Sequence, residues 1–317
     1  MQVSKVTPSG AILIDKQPGI TSFNSLSAVK RLVGTKKVGH SGTLDSFASG
    51  LLVVLVGNMT KLASIVEAQT KVYSGVAIMG TQTNTLDPTG NVILQTAIPT
   101  LEALQKALPK FVGNILQTPP AFSAIKIDGK RSSDLVRAGK EVFLKSRPIT
   151  VSKFILSNYN STTREVGFYI ECSKGTYVRK LLLDLFNEVD SCCHLKRLRR
   201  ERVGNFKVED AAVIESDTKE IKLISELELV SLVDLIYTVK IQDSFFSKLT
   251  YGKKINIADF KSSNLDLSNT TNMEKIKQGT LLALEYENRL AAIIEPILNS
   301  NNSNKLEFAY KYNGASR

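Results

Sequence analysis

The sequence predicts an α+β fold, and three observations predict it. Apolar runs of strand length recur at residues 11–14, 51–56, 71–79 and 166–172. Stripes of helical period fall between and after them, at 23–33, 101–112 and 178–189. From about Ser231 onward, short strand-like pieces alternate with glycine-bearing turns, which points to a separate small β-rich unit. At 317 residues the chain is long enough for a sizeable core and for about two domains.

In chain order, Ala11-Ile12-Leu13-Ile14 reads as a buried strand ending in the turn Asp15-Lys16-Gln17-Pro18-Gly19. Thr21 or Ser22 then caps a helix whose apolar face is Phe23, Leu26, Val29, Leu32 and Val33. Lys30, Arg31, Lys36 and Lys37 gather at its far end and lead into a loop of small residues, 39–50, that carries Asp45. A strand at 51–56 and a short helix around 61–68 follow, then a strand at 71–79. There Tyr73, Gly75, Ala77 and Met79 share a face, so small neighbours leave room for a flat ligand beside the Tyr73 ring. Residues 80–90, with Thr83, Asp87 and Pro88, form a turn-rich loop. Thr100 caps a helix with Leu101, Leu104, Leu108, Phe111 and Val112 inward. Val166, Phe168, Ile170 and Cys172 alternate as a half-buried strand. A helix with the stripe Val178, Leu181, Leu182, Leu185, Phe186 and Val189 comes next. The mixed-charge stretch 215–222 marks an approach to a domain boundary, and a polar loop at 299–304 precedes a last strand at 306–310.

Charge narrows the partner. Lys and Arg number 41 against 30 Asp and Glu, a net of +11, which favours a polyanion and nucleic acid first. The excess is concentrated in two segments. The first runs through Lys126, Lys130, Arg131, Arg137, Lys140, Lys145 and Arg147, and suits an arm that follows a phosphate backbone. The second is Leu195-Lys196-Arg197-Leu198-Arg199-Arg200-Glu201-Arg202, also read as phosphate contact. The longest strongly apolar run, 51–56, is far short of the ~20 residues of a membrane span, and residues 1–10 lack a signal pattern. Three cysteines, Cys172, Cys192 and Cys193, make no disulfide framework and fit a reducing cytoplasm. Cys192-Cys193-His194 lacks the spacing of a zinc site, so no metal is expected. Phosphate-loop and dinucleotide fingerprints and internal repeats are absent.

Asp45 is the candidate reactive group, although by itself it reads equally well as a turn cap. Arg179 weighs on that choice. It falls in the first turn of its helix, where a positive charge opposes the helix dipole by ~0.3–1 kcal/mol unless an anion lies opposite. An acid partner is therefore expected, with Asp45 a candidate.

Five motifs, in order, resemble the TruB family of pseudouridine synthases. They are Asp15-Lys16 with Gly19-Ile20-Thr21-Ser22, Gly39-His40-Ser41-Gly42-Thr43-Leu44-Asp45, Lys71-Val72-Tyr73, Ser173-Lys174-Gly175-Thr176-Tyr177-Val178-Arg179, and Arg197-Leu198-Arg199-Arg200. The resemblance runs from about residue 10 to 210 and implies isomerisation of uridine 55 to pseudouridine in the T-loop of tRNA, in the cytoplasm, without metal, organic cofactor or obligatory protein partner. It implies a mixed central sheet flanked by helices over 1–225, an RNA-gripping thumb at about 121–149, and a PUA-like RNA-binding domain over 231–317. By the same resemblance Asp45 is the essential aspartate, Tyr73 stacks on the target base, Arg179 pairs with the aspartate and Leu198 touches the uracil. His40 helps hold the rearranged loop open, Lys16 packs near the site, and Tyr177 belongs to the substrate-binding set. Lys126, Lys130, Arg131, Arg137, Arg197, Arg199 and Arg200 are expected on the RNA backbone. The chain departs from the family pattern at Ser46, where proline usually follows the aspartate, at Asn84, where aspartate is common, at Gln17-Pro18, and at Ser132-Ser133, where a thumb tyrosine is missing. A guide-RNA-dependent synthase and a non-catalytic RNA-binding protein are the competing readings.

Overall fold

A computed structural model describes residues 8–215, 217–234, 236–265, 267, 280–298 and 306–315. The N-terminal signal reading for residues 1–7, one of the glycine-bearing turns expected after Ser231 (Gln278-Gly279) and the polar loop at 299–304 lie outside them. Seven strands carry the main sheet: β1 (Gly10–Lys16), β2 (Ser49–Val56), β3 (Lys71–Met79), β4 (Gly113–Gln117), β5 (Arg147–Asn160), β6 (Glu165–Cys172) and β7 (Cys193–Val203). Their spatial order is β1-β2-β7-β3-β6-β5-β4, with two short strands paired alongside. All neighbours on this path are antiparallel except β2 and β7, which run parallel, so the sheet is mixed as expected.

From Leu51 to Val56 β2 is apolar without interruption because both its faces are covered. Leu51, Val53 and Leu55 join one core cluster, while Leu52, Val54 and Val56 join another with Leu26 and Val29 of helix α1 (Ser22–Val33). Further across the sheet, Val166, Phe168, Ile170 and Cys172 of β6 and Ala77 and Met79 of β3 pack on the stripe Val178, Leu181, Leu182, Leu185 and Phe186. That stripe belongs to helix α2 (Val178–Asn187), and each of its fully buried side chains contributes ~1.5–3 kcal/mol by leaving water. The start of α2 is thereby fixed over one end of this face.

α1 differs from the expected face. Phe23 is 68% exposed, and the helix instead buries Ser22 and Ser25 beside Leu26 and Val29. The reason is polar: Ser22 Oγ donates to the Leu44 carbonyl (3.1 Å) and accepts from its N–H (2.9 Å), which docks the helix start on the Asp45 loop and turns Phe23 outward. Thr21 is the cap, accepting from the Asn24 N–H at 3.1 Å. Val112 is also exposed, because the helix at Leu101–Ala107 ends in a tighter turn, Leu108–Phe111, that swings it away from the core.

The C-terminal strands β8 (Ile236–Lys240), β9 (Leu281–Tyr286), β10 (Arg289–Leu298) and β11 (Leu306–Asn313) form a second sheet in that order. It has its own core of Phe245, Phe260, Leu282, Leu284 and Ile294, with the two phenylalanine rings edge to face at 5.1 Å. Leu281, Ala283 and Ile293 also join the cluster of Leu51, Val53 and Leu55, so the two sheets share apolar contact. The connecting stretch is tied down as well: Ala11 and Ile224 exchange two backbone hydrogen bonds at 2.9 and 2.7 Å.

Candidate active site

The Asp45 loop, β3, β7 and the start of α2 converge on a cavity of about 320 Å³. Leu44, Asp45, Tyr73, Tyr177, Arg179 and Leu198 line it. Arg179 Nε donates to Asp45 Oδ2 at 2.8 Å. Its Nη1 donates to the Thr85 carbonyl (2.7 Å) and its Nη2 to the Phe122 carbonyl (3.2 Å), while Asp87 Oδ2 stands 3.9 Å from Nη1. The arginine side chain is 4% exposed and that of Asp45 39%, so a rigid buried fork presents a carboxylate that substrate can still reach. The awkward charge at the helix start thus meets an acid partner 134 residues earlier in the chain.

Lys16 is buried and supports the loop from behind. Its Nζ donates to the carbonyls of Ile20 (2.8 Å), Gln17 (3.0 Å) and Ser46 (3.4 Å). Burial lowers its pKa to about 8, with Asp45 pulling it back up and Arg200 pushing it further down. The Ser46 carbonyl also accepts from the Gly19 N–H at 2.7 Å, so two bonds anchor the backbone just after Asp45 where a proline ring would otherwise restrict it.

Tyr73 projects from β3 beside the apolar floor of Leu198. Burial raises its hydroxyl pKa, and the neighbouring Arg200 guanidinium works against that rise. Tyr177 is fixed by Gln117, which accepts from its N–H (2.8 Å) and donates to its carbonyl (3.1 Å), while the Arg147 guanidinium lies over its ring at 5.2 Å. His40 is half-buried on the short strand Val38–His40, paired opposite Val54 of β2. Its pKa is lowered by burial and then by Arg200, against Glu67.

The second basic segment forms β7, and its arginines part company. Arg197 is exposed. Arg199 sits in a two-pronged pair with Asp15 (2.9 and 2.8 Å), with Glu201 3.4 Å from its Nε. Arg200 is only 1% exposed, which corrects the reading of the basic block as one unit: this arginine is enclosed. Its Nε donates to the Leu51 carbonyl (2.8 Å) and its Nη2 to that of Gly42 (3.2 Å), so it belongs to the cavity wall. Strand alternation, together with register shifts at Leu195/Arg197 and Arg200/Arg202, sends neighbouring arginines to different surroundings. In the other basic segment Lys126, Lys130, Arg131 and Arg137 are all exposed, on a small hairpin and the helix Ser132–Arg137.

Residues 30–178 match the N-terminal domain of the TruB family pseudouridylate synthases. The tRNA pseudouridine synthase B of Borreliella burgdorferi is 38% identical over 255 residues, covering 80% of this chain and 90% of that protein. The chain belongs to the TruB family. The tRNA pseudouridine synthase B of Treponema denticola is 46% identical over 215 residues, covering 62% of this chain and 60% of that relative's length. Among solved structures, a Cbf5-Nop10-Gar1 complex matches with a TM-score of 0.67 over 96% of this chain and 83% of the other, at 22% identity, a likeness of fold.

In this TruB-family chain the structure gathers Asp45, Tyr73, Tyr177, Arg179 and Leu198 around one cavity and leaves Lys16 and His40 outside its lining. Sequence reasoning assigned no role to Leu44, Lys71 and Lys174, which also line it, nor to Asp87 beside Arg179, and it placed Arg147, another lining residue, only in the basic arm. Lys71 was within reach, since it opens the same motif as Tyr73.

Proposed function

We propose that this chain is a tRNA pseudouridine synthase that isomerises uridine 55 of the T-loop, with Asp45 as its essential carboxylate. Membership of the TruB family supports the reaction, and the names of its relatives support tRNA as substrate. The observation that carries the site is the Arg179–Asp45 contact at the mouth of a cavity with an aromatic wall and an apolar floor.

The reaction breaks the bond from ribose C1′ to N1 of uracil and makes one from C1′ to C5, with loss of the C5 proton to solvent and gain of one at N1. The base must first leave its stack, which calls for an aromatic platform, assigned to Tyr73, and an apolar contact, assigned to Leu198. Asp45 either adds to C1′ or removes the 2′ proton, and in both routes Arg179 holds the carboxylate in its attacking position. Tyr177 walls the cavity, and Lys16 and His40 act as positioning residues for the loop. The exposed Lys126, Lys130, Arg131 and Arg137 on the 121–149 thumb, with Arg197, contact the RNA backbone. Residues 1–225 make the catalytic domain and 231–317 a PUA-like RNA-binding domain. Among the described residues no helix is long and apolar enough to cross a membrane, and the cytoplasm is the proposed location.

The test is incubation of the purified chain with an unmodified tRNA transcript, followed by chemical mapping of pseudouridine. Modification at position 55 without any protein partner or guide RNA is expected. Binding without any new pseudouridine would replace this reading with that of an RNA-binding protein, and a requirement for a guide RNA would replace it with a guided synthase.

A further inference from the structure

Arg200 is a buried cation without a buried counter-charge. Among the described residues no carboxylate comes within 4.0 Å of it, whereas Arg179 and Arg199 are both paired. Its two hydrogen-bonded nitrogens meet neutral carbonyls, and the Tyr73 hydroxyl beside it is neutral too, so no opposite charge is paired with it. An unpaired buried charge is costly, so a site that retains one is built to receive the opposite sign. The guanidinium opens on the active-site cavity. Gly42, with φ +111°, puts no side chain over it, and a Cβ there would stand 3.7 Å from Nη1.

Lys71 repeats the pattern in the same cavity. It is buried, and its Nζ donates to the carbonyls of Gln69 (2.6 Å) and Glu67, with no carboxylate within 4.0 Å among the described residues. Glu67 lines the cavity and its carboxylate acts on Lys71 only at longer range. Arg200 in turn helps burial lower the Lys71 pKa to about 8, the mark of two like charges held near each other. Arg147 and Lys174 add two more cations to the lining, beside the paired Arg179.

We propose that Arg200 and Lys71 form an anion subsite in the wall of the active-site cavity that takes one phosphate of the RNA backbone next to the modified uridine. The inference rests on the reading of the cavity as an RNA-modifying site, and deepens it. Surface lysines of the thumb give affinity that is indifferent to register, whereas a buried phosphate contact fixes which nucleotide faces Asp45. Arg179 and Asp45 then act on a sugar already tethered on one side.

The test uses a synthetic T-arm stem-loop in which each linkage within two nucleotides of the uridine is replaced, one at a time, by a neutral methylphosphonate. Turnover is measured as kcat/KM for the wild-type chain, Arg200→Gln and Lys71→Met. One linkage is expected to cost the wild type about 10- to 100-fold, the scale of a charge-assisted contact. Arg200→Gln, slowed on the all-phosphate RNA by a similar factor, is expected to lose no more than about threefold further at that linkage, since the two changes remove the same contact. Wild-type indifference at every linkage overturns the subsite, and that arm needs no variant to fold. Full sensitivity retained by both variants overturns it equally. If the wild type fails to convert the all-phosphate stem-loop, the functional reading itself falls and the subsite with it.

Discussion

Arg179→Met removes three donors at once from the most connected side chain of the site. The Asp45 carboxylate loses its partner at 2.8 Å, and the carbonyls of Thr85 and Phe122 lose theirs at 2.7 and 3.2 Å. Breaking a buried ion pair ordinarily costs about 3–5 kcal/mol because the remaining charge is stranded. Here Asp45 keeps 39% of its side-chain surface exposed, so water partly replaces the arginine and about 2–3 kcal/mol is expected. For a chain of this size that lowers Tm by about 4–10 °C. Turnover should fall further than stability, by about 10²–10³-fold, because the carboxylate is no longer held in register with the sugar. Arg179→Lys keeps the charge without the fork, and one ammonium cannot reach all three acceptors along the guanidinium's directions. It should recover part of the stability and little of the turnover. Urea unfolding and pseudouridine formation on a tRNA transcript, run on both variants, check this. An Arg179→Met chain as stable and as active as wild type, or full recovery by Arg179→Lys, would refute the reasoning.

Gly50→Ala should destabilise by about 2 kcal/mol or more, because Gly50 holds φ +102° and a Cβ would lie 2.4 Å from the Arg200 carbonyl; an unchanged urea midpoint contradicts this. Lys71 titrates at about 8 in the folded chain against 10.5 as its ordinary value, so above pH 8 the unfolded chain binds more protons and this lysine makes stability rise with pH. Cys172, pushed by burial from 9.0 to about 11, acts in the opposite sense above pH 9. Between pH 8 and 9 the wild type should therefore gain stability relative to Lys71→Met, and a flat difference refutes the burial account. Tyr73→Phe should retain substrate affinity and Tyr73→Leu should weaken it by about 1–3 kcal/mol, the scale of base stacking on an aromatic ring; equal affinities measured by filter binding would remove Tyr73 as the platform.

What the sequence made legible was local or strongly patterned. The uninterrupted apolar run of β2 marks a strand covered on both faces, the alternation in β6 and the stripe of α2 follow from a two- and a 3.6-residue period, and the structure buries all three in the apolar clusters about the main sheet. Arg179 was legible because a cation in the first turn of a helix asks for an anion, and the distance along the chain to Asp45 did not hide that demand. The arginines of β7 were harder. A basic block read as one unit conceals that Arg197 faces solvent, Arg199 grips Asp15 and Arg200 is enclosed, since the sheet neighbours and two register shifts decide each environment. Phe23 was misplaced for a related reason: its helix docks through the Ser22 hydroxyl on Leu44, a contact that hydrophobic periodicity does not report. Lys16 lies behind the Asp45 loop, and its three carbonyl partners depend on how two loops fold together, which no local pattern reports.

The central claim is that Asp45 performs the isomerisation at uridine 55. Mapping pseudouridine in a tRNA transcript after incubation with folded wild-type chain and with Asp45→Asn tests it most directly, because the amide preserves size and one acceptor oxygen while removing the charge. The account predicts pseudouridine at position 55 with the wild type and none above background with Asp45→Asn, although RNA binding persists. Full conversion by Asp45→Asn would contradict it.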